Sequence, residues 1–130
     1  MRILNNLIAL MLGLLVLAAA GSAVANDRYG KQKVVYHINY NGGEDSKAYR
    51  AAMRNIQNHI NAVGAENMEI KVVLHGNGLG VLMSAKANDK LQTAVAGLKS
   101  QNVSFHVCNN TLKGRKISYE NDLFLSLIHI

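Results

Sequence analysis

The sequence of 130 residues contains a single cysteine, Cys108, and neither proline nor tryptophan. One cysteine excludes an intramolecular disulfide, and with it the class of small exported domains that disulfides hold together. The stability of the fold must therefore come from an apolar core, alone or shared with further copies of the chain. Cys108 is then either packed as a small apolar residue or present for its reactivity.

A dense basic stripe is also missing. The chain has 14 Lys and Arg against 8 Asp and Glu, a net charge of +6, which becomes +5 if Arg2 is removed with an N-terminal signal. These bases are scattered along the sequence, and few aromatic residues accompany them. Nucleic-acid binding proteins usually concentrate both, so we expect no nucleic-acid partner. A solvated basic surface with some preference for anionic ligands is the better interpretation.

The N-terminus has the three parts of a secretory signal peptide. Met1 and Arg2 form a short basic start, Leu7–Ala20 is an unbroken apolar run, and Ala23–Ala25 is a small-x-small cleavage site. Residues 1–25 are therefore predicted to be removed, which places the mature protein in the periplasm. An uncleaved membrane anchor is the alternative, but the apolar run is short for a span. We expect no stable membrane insertion after cleavage.

The last six residues, Leu125–Ile130 (LSLIHI), match a sequence that is used in DNA library preparation. They are the in-frame translation of CTGTCTCTTATACACATC, the end of a transposon used to prepare sequencing libraries. The hypothesis is that adapter read-through supplies residues 125–130 and that the natural chain continues differently after about Phe124. The alternative is a short apolar strand. His129 is accordingly excluded from every site considered below.

Residues 26–124 are enough for one small domain. Lys33–Tyr40, Met68–Leu74 and Val103–Val107 are rich in β-branched residues and are predicted strands. Apolar residues at helical spacing predict a helix capped by Asp45 or Ser46 and ending at Gly64, and another that starts near Asn88. Three stretches complete the assignment: Val81–Ala85 as a short strand or helical turn, Ser100–Asn102 as a break, and Leu112–Phe124 as a loop and the start of a helix.

This βαβαβ order predicts an α/β fold with a parallel sheet. Ligands of such sheets gather beyond the carboxyl ends of the strands. The segments that leave those ends are Asn41-Gly42-Gly43, His75-Gly76-Asn77-Gly78 and Cys108-Asn109-Asn110-Thr111. We therefore expect these three segments, distant in sequence, to converge on one edge of the sheet.

Cys108 is the strongest candidate for chemistry in these segments. A thiol at the end of a strand can be exposed while its backbone is held, and amide donors from Asn109, Asn110 and Thr111 would stabilise a thiolate or persulfide anion. His75 follows the second strand and could orient that thiolate or transfer a proton, since histidine titrates near neutral pH. The alternatives are a buried, inert Cys108 and a His75 that only fixes its loop.

Other common site patterns are absent. His37 and His59 are interpreted as packing or surface residues, and His106 shares a strand face with Cys108, but no ligand pair has a recognisable metal spacing. HGNGLG lacks the fingerprints of a dinucleotide or phosphate loop, and no serine has a G-x-S-x-G context. No metal or cofactor is therefore predicted.

The motifs together resemble the DsrE/DsrF-like proteins of sulfur metabolism, over nearly all of residues 33–123. The most specific piece is V-x-F-x-V-C-x-N-T-L at Val103–Leu112, supported by V-V-L-H-G at Val72–Gly76. The likeness is greatest to the exported, single-domain branch. It implies a three-layer α/β/α fold with a mainly parallel sheet and association into trimers or hexamers. The chain stops before the final helix and strand of that family, so residues 26–124 are expected to be a truncated domain.

In sulfur-relay members, the cysteine that matches Cys108 in the motif accepts sulfur as a persulfide and passes it on. The resemblance therefore implies a sulfur carrier or sulfurtransferase that uses Cys108. In this hypothesis Cys108 and His75 are the catalytic residues, and the ligand-binding residues of the same edge are Gly76, Asn77, Asn109, Asn110 and Thr111. Its partners would be thiol-bearing proteins that donate or accept sulfur. The second hypothesis is a non-catalytic oligomeric module that binds a small ligand or a protein, with Cys108 merely packed.

Overall fold

The computed structural model describes residues 30–124, which form a parallel sheet of three strands and five α-helices. The strands are β1 (Gln32–Ile38), β2 (Met68–Leu74) and β3 (Ser104–Val107), hydrogen-bonded in the order β1-β2-β3. The helices are α1 (Lys47–Val63), α2 (Gly80–Ser84), α3 (Asp89–Lys99), α4 (Asn109–Arg115) and α5 (Tyr119–Asp122). The order of elements confirms the predicted α/β class with a parallel sheet.

One face of the sheet forms the core. Alternate strand residues point to opposite faces, and the register aligns Val72 with Phe105 and Leu74 with both Ile38 and Val107. These side chains are buried in one cluster with Ile56 and Leu91, among others, from α1 and α3. Complete burial of such an aliphatic side chain stabilises the fold by about 1.5–3 kcal/mol. Helices α1 and α3 therefore cover the same face, where they also contact each other.

The opposite face, here called the open face, is more exposed in the described part of the chain. It consists of Lys33, Val35, His37, Glu69, Lys71, Val73, Ser104 and His106. Val35 is 64% exposed, and Glu69 forms salt bridges with Lys33 and Lys71. Polar residues alternating with apolar ones explain why β1 and β2 have one buried and one solvated side.

Helix α1 confirms the helical spacing found in the sequence. Five of its apolar residues are buried: Tyr49, Met53, Ile56, Ile60 and Val63. The helix ends at Gly64, whose φ of +93° favours glycine, as predicted. Its start differs from the prediction, because Ser46 occupies the N-cap position without a side-chain hydrogen bond. The Asp45 carboxylate instead accepts hydrogen bonds from Arg50 (2.6 Å) and Asn88 (3.0 Å).

Two short helices lie downstream. At Val81–Ala85 the helical alternative is the one observed, as α2. Helix α4 extends to Arg115 and so covers Leu112–Arg115, where the sequence predicted a loop, because Thr111 and Leu112 are buried and stabilise a helix of modest intrinsic propensity. Asn88 caps α3 by accepting a hydrogen bond from the N–H of Leu91 (3.0 Å), near the predicted start.

The predicted signal peptide (1–25) and the predicted adapter-encoded segment (125–130) lie outside the described residues. Between residues 30 and 124, no helix is both long and apolar enough to cross a membrane.

Candidate functional site

The ladder between the strands continues past their carboxyl ends and places His75 and Cys108 side by side. The N–H of His75 donates to the carbonyl of Ile38 (3.1 Å), and the N–H of Cys108 donates to the carbonyl of Leu74 (3.0 Å). Since Leu74 pairs with Val107, the next pair in register is His75 and Cys108. Both backbones are extended, so both side chains continue the open face. The second and third predicted segments thus meet at one rim, formed by His75–Asn77 and Cys108–Thr111.

Cys108 is a partly exposed free thiol at the N-cap position of α4. The groups that favour its thiolate are, in order, the backbone N–H of Thr111, the hydroxyl of Thr111 and the backbone N–H of Asn110. These donors stabilise the anion and hold the pKa of Cys108 below its ordinary value of 9.0, against the opposing effect of partial desolvation. A larger thiolate fraction makes the sulfur a better nucleophile near neutral pH.

Thr111 joins the two segments of the rim. It is 9% exposed, and its Oγ1 accepts a hydrogen bond from the N–H of Gly76 (3.1 Å). The same hydroxyl also helps to lower the pKa of the Cys108 thiol. Gly76 has a φ of +54°, a conformation that side-chain-bearing residues adopt at a cost. A single hydroxyl therefore fixes the loop after β2 and stabilises the thiolate after β3.

Asn77 lies at the rim but is engaged by other parts of the protein. Its carbonyl accepts a hydrogen bond from the hydroxyl of the buried Tyr49 (2.6 Å), and its side-chain oxygen accepts one from Arg115 Nη2 (2.9 Å). These contacts hold the loop in place. Gly78 completes it, because a Cβ at this position would overlap the backbone carbonyl of Ile38.

The remaining predicted residues are also at the rim. Asn109 and Asn110 are exposed in the first turn of α4, and the backbone N–H of Asn110 contributes to the lowered pKa of Cys108. Gly42, from the first predicted segment, is buried against the ring of Tyr49, which stacks on Tyr40 with ring centroids 6.3 Å apart. The first segment therefore supports the Tyr49 ring.

Two histidines of the open face lie beside the rim. The exposed ring of His75 is 5.9 Å from that of His37, centroid to centroid, with the planes tilted by 42°. His37, interpreted from sequence as a packing or surface residue, is thus an exposed neighbour of a predicted site residue. His106 lies on the same face, with its Nε2 3.1 Å from Ser104 Oγ.

His59 is engaged elsewhere. Its Nδ1 is 2.7 Å from the Tyr36 hydroxyl and its Nε2 is 3.1 Å from Gln32 Oε1. Over residues 30–124, no group of three or more His, Cys, Asp or Glu is arranged to hold a metal ion.

Arg115 is the rim residue that sequence reasoning missed. Its side chain is exposed, and its guanidinium would lie 3.8 Å from a Cβ built on Gly76. Positions 111 and 115 are four residues apart and share a face of α4. Had α4 been predicted to start at Asn109, this spacing would have placed a cation beside the loop after β2.

Residues 33–130 match the model of the DsrE/DsrF-like family. The fold is similar to the solved structure of MTH1491, a protein of unknown function from Methanobacterium thermoautotrophicum, with a TM-score of 0.61 and 26% sequence identity over 75% of this chain and 79% of that one. The parallel sheet and five helices of the described residues match the predicted three-layer fold. Among curated proteins, the search returned no match.

Proposed function

The chain belongs to the DsrE/DsrF-like family, and from this premise we propose that it is a sulfur carrier that holds a persulfide on Cys108. Membership supports a role related to sulfur relay. The observation that supports the finer assignment is the position of the only cysteine: it is partly exposed at the end of β3, beside His75 in register, and the groups of Thr111 and Asn110 lower its pKa. A carrier needs an accessible thiol with a depressed pKa.

The transfer is a thiol exchange at sulfur and requires no added oxidant. The Cys108 thiolate attacks the outer sulfur of a donor persulfide, the new Sγ–S bond forms, and the donor S–S bond breaks. The electron pair leaves with the donor, which becomes a thiolate. In the second half, an acceptor thiolate attacks the outer sulfur of the Cys108 persulfide and releases the Cys108 thiolate.

The residues around Cys108 have distinct roles in this proposal. The donors from Asn110 and Thr111 stabilise the thiolate, and they are placed to stabilise the anion of a persulfide as well. His75 transfers a proton at the outer sulfur, because it is exposed and adjacent to Cys108 in register. Gly76 and Asn77 shape the loop, and Asn109 is the exposed residue that follows Cys108 and is assigned to binding of the sulfur donor.

The alternative, a binding module with a packed and inert Cys108, has less support. The thiol is neither buried nor surrounded only by apolar groups. The proposal retains the periplasmic location, the trimeric or hexameric assembly and the thiol-bearing partner proteins expected from the sequence. Cell fractionation and sedimentation velocity on the recovered full-length gene product would test the first two.

The decisive test is sulfur loading followed by intact-mass measurement. Wild type and Cys108→Ser are incubated with polysulfide or thiosulfate and measured before and after reduction. We expect wild type alone to gain the mass of one sulfur atom and to lose it with reductant. No adduct on wild type, together with a Cys108 that resists alkylation until the protein is unfolded, would overturn the carrier and favour the binding module.

A further inference from the structure

A groove runs between α1 and α3 on the side of these helices away from the sheet. Its volume is about 390 Å³. The residues that line it are Arg50, Met53, Arg54, Gln57, Asn58, Lys90, Thr93, Ala94, Gly97 and Leu98. Neither Cys108 nor His75 belongs to this lining. The groove is therefore separate from the rim and has no part in the sulfur chemistry proposed above.

Hydrogen bonds across the helices hold the groove at both ends. At one end, the Asp45 carboxylate accepts from Arg50 of α1 and from Asn88 at the start of α3. At the other, the amides of Gln57 and Gln101 donate to each other, at 3.0 and 2.7 Å. The separation of the two helices is thus fixed before any ligand binds, which lowers the entropy cost of binding.

The walls of the groove are basic. Arg50, Arg54 and Lys90 line it, and no carboxylate is among the lining residues. Arg50 forms a salt bridge with Asp45 at the end of the groove (2.6 Å). Between residues 30 and 124, neither Arg54 nor Lys90 forms a salt bridge. Arg54 thus faces the groove without a carboxylate partner in this part of the chain. Lys90 adds to the lowering of the pKa of Asp45 that Arg50 mainly causes, but no salt bridge joins it to that carboxylate. Both cations can attract an anionic ligand.

The floor of the groove is apolar and open at Gly97. Met53 and Leu98 are buried beneath it, and Ala94 is half-buried. A Cβ built on Gly97 meets no atom within 4 Å, so the helix surface is open at that point. An apolar side chain of a ligand can enter this space between the charged walls.

We propose that the groove between α1 and α3 binds an acidic, extended segment of a partner protein. Charge complementarity with Arg54 and Lys90 favours Asp or Glu side chains, while Gln57, Asn58 and Thr93 offer polar groups to a peptide backbone. Small-molecule pockets are usually enclosed, unlike this open groove with basic walls. Single-stranded nucleic acid is less suited, because no aromatic side chain lines the groove for bases to stack on.

The test is fluorescence anisotropy with the full chain and a defined probe. The probe is a fluorescein-labelled peptide in which glutamates surround a single leucine; the matched peptide has lysine in place of every glutamate. The variants are Arg54→Glu combined with Lys90→Glu, and Gly97→Leu, which fills the floor. Lys31→Glu is the charge control, because Lys31 is exposed and precedes β1, outside the groove. Circular dichroism confirms that each variant is folded.

We expect the acidic peptide alone to bind, with an affinity that falls as salt rises. The double charge reversal should weaken binding by about tenfold or more, and Gly97→Leu should weaken it without any change of charge. Lys31→Glu should change it by less than about twofold. Absence of binding, equal loss in Lys31→Glu and the double variant, or unchanged binding in Gly97→Leu would each overturn the proposal. A labelled single-stranded oligonucleotide that binds the groove when the peptide does not would replace it with a nucleic-acid site.

Discussion

The hydroxyl of Thr111 accepts a hydrogen bond from the N–H of Gly76 at 3.1 Å, although 35 residues of chain separate them. The same hydroxyl also helps to lower the pKa of the Cys108 thiol. Loss of this one oxygen therefore has two separable effects, one on the reactivity of the thiol and one on the stability of the loop.

Thr111→Val should raise the pKa of Cys108, because the thiolate loses a hydroxyl donor while the shape of the side chain is preserved. The pH profile of alkylation by iodoacetamide should move to higher pH. The free energy of unfolding should fall by about 1–3 kcal/mol, since the N–H of Gly76 loses its acceptor. Thr111→Ser keeps the hydroxyl and should retain both properties. An unchanged alkylation profile in Thr111→Val would refute the role of the hydroxyl.

The thiolate also links stability to pH. The pKa of Cys108 is below 9.0 in the folded protein and returns to its ordinary value on unfolding. The contribution of the Cys108 thiolate to the free energy of unfolding is therefore fully present above the pKa of Cys108 in the unfolded protein. It is lost as the pH falls through the pKa of Cys108 in the folded protein. In urea denaturation under reducing conditions, the stability of wild type relative to Cys108→Ser should rise between about pH 7 and pH 9. A constant difference across this range would argue against a depressed pKa.

Tyr49→Phe should loosen the loop after β2. The change removes a 2.6 Å hydrogen bond from a buried hydroxyl to the carbonyl of Asn77 and leaves that carbonyl without this donor. We expect a loss of about 1–2 kcal/mol in unfolding free energy. Hydrogen exchange should become faster at the N–H of Gly78, which donates to the carbonyl of His75. Tyr40→Phe, at a ring that is 44% exposed, is the matched control and should change both measurements less.

Substitution of two glycines by alanine should change the stability of the protein in opposite directions. At Gly78 a Cβ would overlap the carbonyl of Ile38, so Gly78→Ala forces the loop away from β1 and should destabilise the protein by about 3 kcal/mol or more. At Gly97, inside α3, the Cβ meets open space, and Gly97→Ala should stabilise the helix by about 0.5–1 kcal/mol. Thermal melting of both variants beside wild type checks the pair. A change of the same sign in both variants would contradict this prediction.

The sequence predicted most of the fold because periodicity is a local signal. Buried and exposed residues alternate in β2, and apolar residues recur at helical spacing in α1. Gly64 indicates a helix end because glycine tolerates the positive φ found there. Helix α4 has no such signal. Its sequence, NNTLKGR, is poor in strong helix formers, and the helix is stabilised by burial of Thr111 and Leu112 against distant parts of the chain.

The sequence predicted where the candidate site lies in the fold, but not the side-chain hydrogen bonds within it. Parallel topology alone brings His75 and Cys108 to the same edge of the sheet, so their adjacency followed from the order of elements. The hydrogen bonds from Thr111 to Gly76 and from Arg115 to Asn77 depend on side-chain geometry across the rim. Arg115 was missed for the same reason as α4, since only a helix places it beside the loop.

The spatial order of the strands, β1-β2-β3, is also their order along the chain. Each strand therefore pairs with the one synthesised before it, and the first register pairs, Gln32 with Met68 and Lys71 with Ser104, close loops of similar length. Because closure entropy grows slowly with loop length, the two steps cost nearly the same. The sheet can thus form one strand at a time, in the order in which the chain is synthesised. β1 and β2 can pair first, and β3 then adds to β2. Cys108, which follows β3, therefore reaches its position only when the last of these strands pairs.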